Sequence, residues 1–539
     1  MPRVLLIGWD GADWRILDPL LERGDLPNLK ALIDRGQKSI LRSTVPTHSW
    51  AAWPSFLTGV DPADHGVYDI LETVPGTHKQ YPVTYKSIKE RTFVEDLSAA
   101  GKMGVYADVP LLFPPPEIQG KIAAGGVLPK GRTYTQPAGL AEELEKAGVP
   151  WVINGMSWTT YRNRPEAYLH EALEITGKRI KAAEWMMDNS DWDLMASVWV
   201  SVDRTQHALS NYVAPDHPDT AKNEKTKIGA QVRDVYKQLD DAIGSFVSRT
   251  REDDIVLFIS DHGFQSVTRT VHMDHLLKQF GYLEHSAANA LFGPMQWGPM
   301  RKVARKVYDV LGLHGKVSLP QSVNWSKTKA YTTIRSTGEG VSINLGGREP
   351  DGIVDPGDFE KVRDQVMDRL ASFVDPKTGR KPVKAIYKRE EIFKGRHADT
   401  APDILMEPEV GYSLTHARTA LEDADWISGD HRIEGTIVAV GPNVTPFGDQ
   451  PMLIDLAPTI LAALDAPASI KHTGRVLHEI VGSADVKQRA DAMGQPAVDE
   501  NAAAAAAIPG MPSGDKESTV SDTEADEMEE HLRGLGYLE

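Results

Sequence analysis

The stretch Val4-Leu5-Leu6-Ile7-Gly8-Trp9-Asp10-Gly11 sets an apolar run directly against a carboxylate and a glycine. A run this short suits a buried strand and falls well below the length of a secretory core or a membrane span. The same arrangement recurs along the chain. Leu194 to Val200 is followed by Asp203-Arg204-Thr205-Gln206-His207, and Ile255 to Ser260 leads into Asp261-His262-Gly263. Gly429-Asp430-His431-Arg432 precedes the run Thr436 to Val440, and Met103 to Ala107 is a further apolar segment. Between these runs lie longer amphipathic stretches, Leu26 to Arg35, Pro165 to Asp188, Thr226 to Arg249, Asp358 to Phe373 and Asp455 to Leu464. Strands alternating with helices predict an α/β fold with a mainly parallel central sheet flanked by helices.

The chain has 539 residues, 59 Lys+Arg, 76 Asp+Glu and no cysteine, giving a net charge of −17. This acidity excludes nucleic-acid binding as a main role, because such affinity rests on surplus Lys and Arg. The absence of cysteine excludes disulfides, a thiol nucleophile and thiolate metal sites, so any metal must be held by His, Asp, Glu or hydroxyl oxygen. With no secretory signal and no apolar run of membrane-spanning length, a cytoplasmic protein without a membrane span is expected.

Connections of about 2 to 6 residues are usual between strands and helices, so the long intervening segments read as cap insertions. The expected organisation is a discontinuous core of residues 1–65, 166–264 and 426–490, with insertions at 66–165 and 265–425. The stretch from Lys329 to Arg348 has the character of a small second sheet. Residues 491–539 read as an Ala-rich linker and acidic tail. Asp515 to Glu530 carries eight acidic residues against one Lys, and Glu524 to Leu535 reads as an amphipathic helix with Met528, Leu532 and Leu535 along one face. Such a tail is a candidate for binding a protein partner.

Each Asp/His cluster has a bland reading alone: an N-cap for Asp10 or Asp13, a surface i, i+4 pair for Asp203 and His207, a capped turn for Asp261 and His262. Together they place chemistry beside four strand ends, and that edge of a parallel sheet is where ligands gather. Three Asp and three His suffice for two ions with open positions, a clamp suited to phosphoryl transfer. The nucleophile would come from Ser43-Thr44-Val45-Pro46-Thr47-His48-Ser49, ahead of a helix that ends near Thr58-Gly59. Ser49 is the preferred hydroxyl and Thr47 the fallback; a plain N-cap is the alternative role for Ser49.

In this order, Trp9-Asp10-Gly11, Pro46-Thr47-His48-Ser49 through Thr58-Gly59, His65-Gly66, Asp203 with His207, Ser260-Asp261-His262-Gly263, His431 and Asp455-Leu456-Ala457-Pro458 resemble the alkaline phosphatase superfamily. More closely the chain resembles its type I phosphodiesterase/nucleotide pyrophosphatase branch. The resemblance implies an alkaline phosphatase-like fold and a metal-dependent hydrolase of phosphate mono- or diesters acting through a covalent phospho-Ser49. It implies that Asp10, Ser49, Asp261 and His262 hold one divalent ion and Asp203, His207 and His431 another, zinc being expected and manganese the alternative. Nucleotide pyrophosphatases carry an asparagine three residues after the nucleophile, where this chain has Ala52. Arg432, Arg348 and Lys130 are candidates for the missing contact to the anionic substrate. A phosphoglycerate mutase type of phosphomutase and a degenerate hydrolase serving as an interaction protein are the alternative readings.

Overall fold

The computed structural model describes residues 2–285, 323–334, 336–415, 421–424, 427–482, 520–535 and 537. Its central sheet has eight strands: β1 (Val4–Trp9), β2 (Gln37–Arg42), β3 (Gly104–Ala107), β4 (Gly120–Ala123), β5 (Thr135–Gln136), β6 (Leu194–Trp199), β7 (Ile255–Ile259) and, after two strands outside it, β10 (Glu434–Val440). The spatial order is β2-β10-β7-β1-β6-β3-β4-β5. The five strands from β7 to β4 run parallel, and β10 and β5 are antiparallel to their neighbours.

Side-chain alternation explains why this sheet is buried on both faces. Leu5, Ile7 and Trp9 of β1 join one core cluster with Met195, Val256 and Phe258, while Val4 and Leu6 join a second with Val198, Leu257 and Ile259. Helices cover both layers. On the first lie α2 (Pro165–Asp188) and α4 (Lys227–Val247), the latter started by Thr226, whose hydroxyl accepts from the Gly229 N–H. On the second lie α1 (Ser49–Thr58) and α5 (Leu456–Ala463). The short helix α3 (Ser201–Leu209) follows β6 directly. The expected α/β architecture is present, and α2 has the bounds read from the sequence.

The boundary placed at residue 66 needs correction. Residues 66–165 contain β3, β4 and β5, which extend the central sheet rather than capping it. The length of the connections suggested an insertion, and β4, only four residues with Gly120 and Lys121 in it, carries too little apolar signal to be recognised. Within 265–425, four strands (Ala330–Thr332, Gly340–Ile343, Ile404–Pro408 and Val383–Lys388) do form a second sheet. The helix Phe359–Ser372 packs Val362, Val366 and Leu370 onto it. Between core and cap, β8 (Gly263–His272) pairs with β9 (Gly429–Arg432). The Ala-rich linker lies outside the described residues, whereas the tail helix α6 (Asp522–Leu535) is present and buries Met528, Leu532 and Leu535 as its periodicity implied. Its apolar face is covered by Ile70, Tyr81 and Val127 of its own chain, which leaves that face no free surface for a partner. Among the described residues no helix is long and apolar enough to cross a membrane.

The buried His65 ties this core to pH. Val67 N–H donates to its Nδ1 at 3.2 Å, so the proton sits on Nε2, 2.9 Å from Ser55 Oγ. Burial pushes its pKa from 6.5 down to about 3. The unfolded chain therefore takes up a proton that the folded chain refuses between these values, and stability falls as pH drops through that window, by about 1.4 kcal/mol per pH unit for one group. Urea unfolding of His65→Gln between pH 7 and 5 should show a slope shallower by about one proton. A slope equal to that of the parent would contradict the assignment.

Candidate metal centre and nucleophile

Strand directions gather the predicted residues at one edge. The carboxyl ends of the adjacent strands β7, β1 and β6 deliver Asp261 and His262, Asp10, and the start of α3. Because β10 runs antiparallel, its amino end lies at the same edge and brings β9 with His431. Strand β2, antiparallel in turn to β10, ends there too and leads into the segment that reaches Ser49. Gly11 lets the end of β1 pass close to α3. It has φ +75°, and a Cβ on it would stand 3.1 Å from Asp203 Cα. The neighbouring roles separate cleanly: Asp13 caps the helix Trp14–Glu22 by accepting from Arg15 N–H, while Asp10 faces the cluster.

Ser49 is the first residue of α1, preceded by His48, so its hydroxyl is not the helix cap. Its Oγ lies 3.1 Å from Asp10 Oδ1 and 3.1 Å from His262 Nε2. Trp53 Nε1 donates to Asp10 Oδ2 at 3.0 Å and fixes that carboxylate. Asp261 Oδ1 accepts from Gly11 N–H at 3.3 Å, and its Oδ2 is 3.4 Å from His262 Nε2. On the other side, Asp203 Oδ1 lies 3.4 Å from His207 Nε2 and 3.3 Å from His431 Nε2, and the two nitrogens are 2.9 Å apart. The i, i+4 pair thus shares one helix face.

The remaining imidazole nitrogens set the tautomers. Carbonyls only accept, so His207 Nδ1–H donates to Gly429 O at 3.2 Å and His262 Nδ1–H to Gly263 O at 3.1 Å. Both Nε2 lone pairs then face the cluster, the arrangement metal-binding histidines use. Burial, with the Asp203 charge behind it, pushes Asp10 up to about 7, and burial drives His262 down to about 4. Burial also opposes charge on Asp203, yet His207 and His431 outweigh it and hold this carboxyl well below the usual range.

A cation fits this donor set. Asp203 Oδ1 and Asp261 Oδ2 are buried without a hydrogen-bond partner while facing imidazole nitrogens. Asp10, Asp261 and His262 bring ligand atoms within 4.8 Å of one another, as do Asp203, His262 and His431. Asp430, with His207 and His431, forms a third such group, and the sequence pattern around it assigned that carboxylate no role.

All seven predicted ligands converge, but the other candidates do not join them. Thr47 Oγ1 donates to Thr44 O at 3.0 Å, within its own turn. Arg432 Nε is ion-paired with Glu434, Arg348 with Asp403, and the Lys130 backbone N–H donates to Glu527 of α6. The buried cation at the site is instead Arg204, which lines the cleft with Asp10, Ser49, Trp50 and Asp203 and is anchored by Nη1 donating to Gly155 O at 3.0 Å. Sequence reasoning used the two ends of Asp203-Arg204-Thr205-Gln206-His207 and passed over the cation between them. Tyr537 was missed as well. Its hydroxyl donates to Asp203 Oδ2 at 2.8 Å.

The sequence pattern of the type I phosphodiesterase/nucleotide pyrophosphatase family matches residues 4–434. Phosphonoacetate hydrolase from Sinorhizobium meliloti 1021, in complex with phosphonoformate, has a similar fold at TM-score 0.52 and 15% identity, the match covering 86% of this chain and 95% of that one. Murine ectonucleotide pyrophosphatase/phosphodiesterase 5, as an inactive variant in complex with AMP, matches at TM-score 0.52 and 16% identity, covering 88% of this chain and 97% of that one. No curated protein matches the chain in sequence.

The tight passage of Gly11 past Asp203 gives a direct test of this geometry. Gly11→Ala should destabilise the protein by about 1–3 kcal/mol in denaturant unfolding, because the left-handed backbone and the contact with Asp203 both oppose a side chain. A change within about 0.5 kcal/mol, the range of an ordinary surface substitution, would show that the approach is not tight.

Proposed function

Because the chain belongs to the type I phosphodiesterase/nucleotide pyrophosphatase family and is a hydrolase of phosphoric ester bonds, we propose that it cleaves phosphate mono- or diesters through a covalent phospho-Ser49 intermediate at a two-ion site. The observation that carries this reading is Ser49 Oγ, 3.1 Å from both Asp10 Oδ1 and His262 Nε2 at the uncapped start of α1. Zinc or manganese ions, one held by Asp10, Ser49, Asp261 and His262 and one by Asp203, His207 and His431, would supply Lewis-acid charge that promotes ionisation of the serine hydroxyl and offsets phosphate charge.

Ser49 Oγ then attacks phosphorus in line with the leaving oxygen, forming the Ser49 oxygen–phosphorus bond as the ester bond breaks, and the departing alcohol takes up the proton lost by the serine hydroxyl. Water attacking from the vacated side releases phosphate or a monoester and returns the proton to Ser49. Trp53 keeps Asp10 turned toward the hydroxyl. The amino end of α1 directs its dipole at the anion. Arg204 faces the non-bridging oxygens and supplies the contact that Ala52 lacks. Preorganised charge of this kind carries most of the barrier reduction, since phosphoryl transfer needs little other covalent help from the protein.

Aryl phosphate monoesters and diesters assayed with zinc and with manganese test the reading. Ser49→Ala should lower kcat at least about 10³-fold and Arg204→Gln about 10²-fold, whereas Thr47→Ala should stay near the parent value. Near-parental turnover in Ser49→Ala would move the nucleophile elsewhere. Isomer formation without phosphate release would indicate a mutase, and no turnover of any ester with either ion would favour a degenerate hydrolase.

A further inference from the structure

The acidic tail returns to the molecule at the catalytic cleft. Val520, Ala525, Met528, Leu532 and Leu535 pack against Ile70, Tyr81 and Val127. Its charges meet complementary groups: Asp522 accepts from Lys79 Nζ at 2.7 Å and from Tyr81 Oη at 2.8 Å, and Glu524 pairs with Arg132 at 2.7 Å. In the last turn of the helix, Gly534 O accepts from the Ser157 and Thr159 hydroxyls, each at 2.8 Å, and a Cβ on Gly534 would stand 2.6 Å from Ser157 Oγ. Tyr537 N–H closes the following turn onto Leu532 O at 3.0 Å. This sets the Tyr537 ring edge-on to His207 at 5.7 Å and to Trp50 at 6.5 Å, with its hydroxyl on Asp203 Oδ2.

The division of labour on Asp203 is specific. Oδ1 faces His207 and His431, while Oδ2 takes the tyrosine hydrogen bond. Partners of this kind orient a metal-binding carboxylate and are worth about 10- to 100-fold in ion affinity or activity. Tyr537, Leu535 and Trp50 also line the cleft beside Asp10 and Ser49.

We propose that residues 520–535 and Tyr537 are a built wall of the active site, in which Tyr537 is a positioning residue for Asp203 and, with Trp50 and Leu535, forms the apolar surface that receives the substrate's ester group. This rests on the reading of Asp203 as an ion ligand. The tail is then part of the enzyme's specificity rather than an appendage, and it favours esters with one apolar or aromatic arm.

The test uses the full-length chain, Tyr537→Phe, Tyr537→Ala and a chain ended at residue 519. Calorimetric titration of the apo-proteins with Zn²⁺ alone should show about tenfold weaker binding in Tyr537→Phe, and excess Zn²⁺ should restore its kcat, a rescue that a merely structural role would not give. Tyr537→Ala and the truncated chain should also raise KM for an aryl alkyl phosphodiester about tenfold over that for methyl phosphate esters, a preference that excess Zn²⁺ does not restore. Unchanged Zn²⁺ affinity in Tyr537→Phe together with unchanged KM in Tyr537→Ala would overturn the proposal. A several-fold rise in turnover on truncation would also overturn it and make the tail an inhibitory plug. If the full-length parent hydrolyses no ester, the hydrolase reading itself has failed; an active parent with indifferent Tyr537 variants refutes this inference alone.

Discussion

Asp10, Asp203 and Asp261 are buried with His262 and His431 at one sheet edge beside the half-buried His207, and the rest of the structure is arranged around the cost of holding them there. Two like charges 4 Å apart repel by about 4 kcal/mol at an effective dielectric constant of 20. Burial first and neighbouring carboxylates second push Asp10 up to about 7 and Asp261 well above the carboxylate range. A water-excluded core on both faces of β7, β1 and β6 keeps the groups from separating. The result is a preorganised set of donor atoms that could hold a metal ion.

Much of this was legible because the signals are local. Apolar runs ending in Asp or His identified β1, β6 and β7, and the spacing of Asp203 and His207 placed both on one helical face. The Ser49 hydroxyl was harder, since a helix cap and a nucleophile look alike in sequence. The structure removes the cap role by starting α1 at Ser49 itself and giving the flanking position to His48.

What escaped depends on tertiary placement. Arg432, Arg348 and Lys130 were plausible phosphate contacts as isolated cations, but the first two are ion-paired and the third is exposed, its backbone N–H held by Glu527 of the tail. Arg204 carries no sequence sign that its side chain turns into the cleft. Strands β4 and β5 are too short to show periodicity, so a stretch of central sheet read as an insertion. The tail shows the same limit. Its composition suggested a free acidic appendage, whereas Lys79, Tyr81 and Arg132 receive Asp522 and Glu524, and helical spacing gave no hint that Tyr537 reaches Asp203.

If Ser49 is bonded to phosphorus during turnover, the stereochemical course at phosphorus reports it directly. Each in-line displacement inverts the phosphorus centre, so two in succession restore it. Hydrolysis of a chiral phosphorothioate diester in ¹⁸O-labelled water should give the monoester with net retention. Net inversion would mean that water attacks the ester in a single step, and would contradict the account.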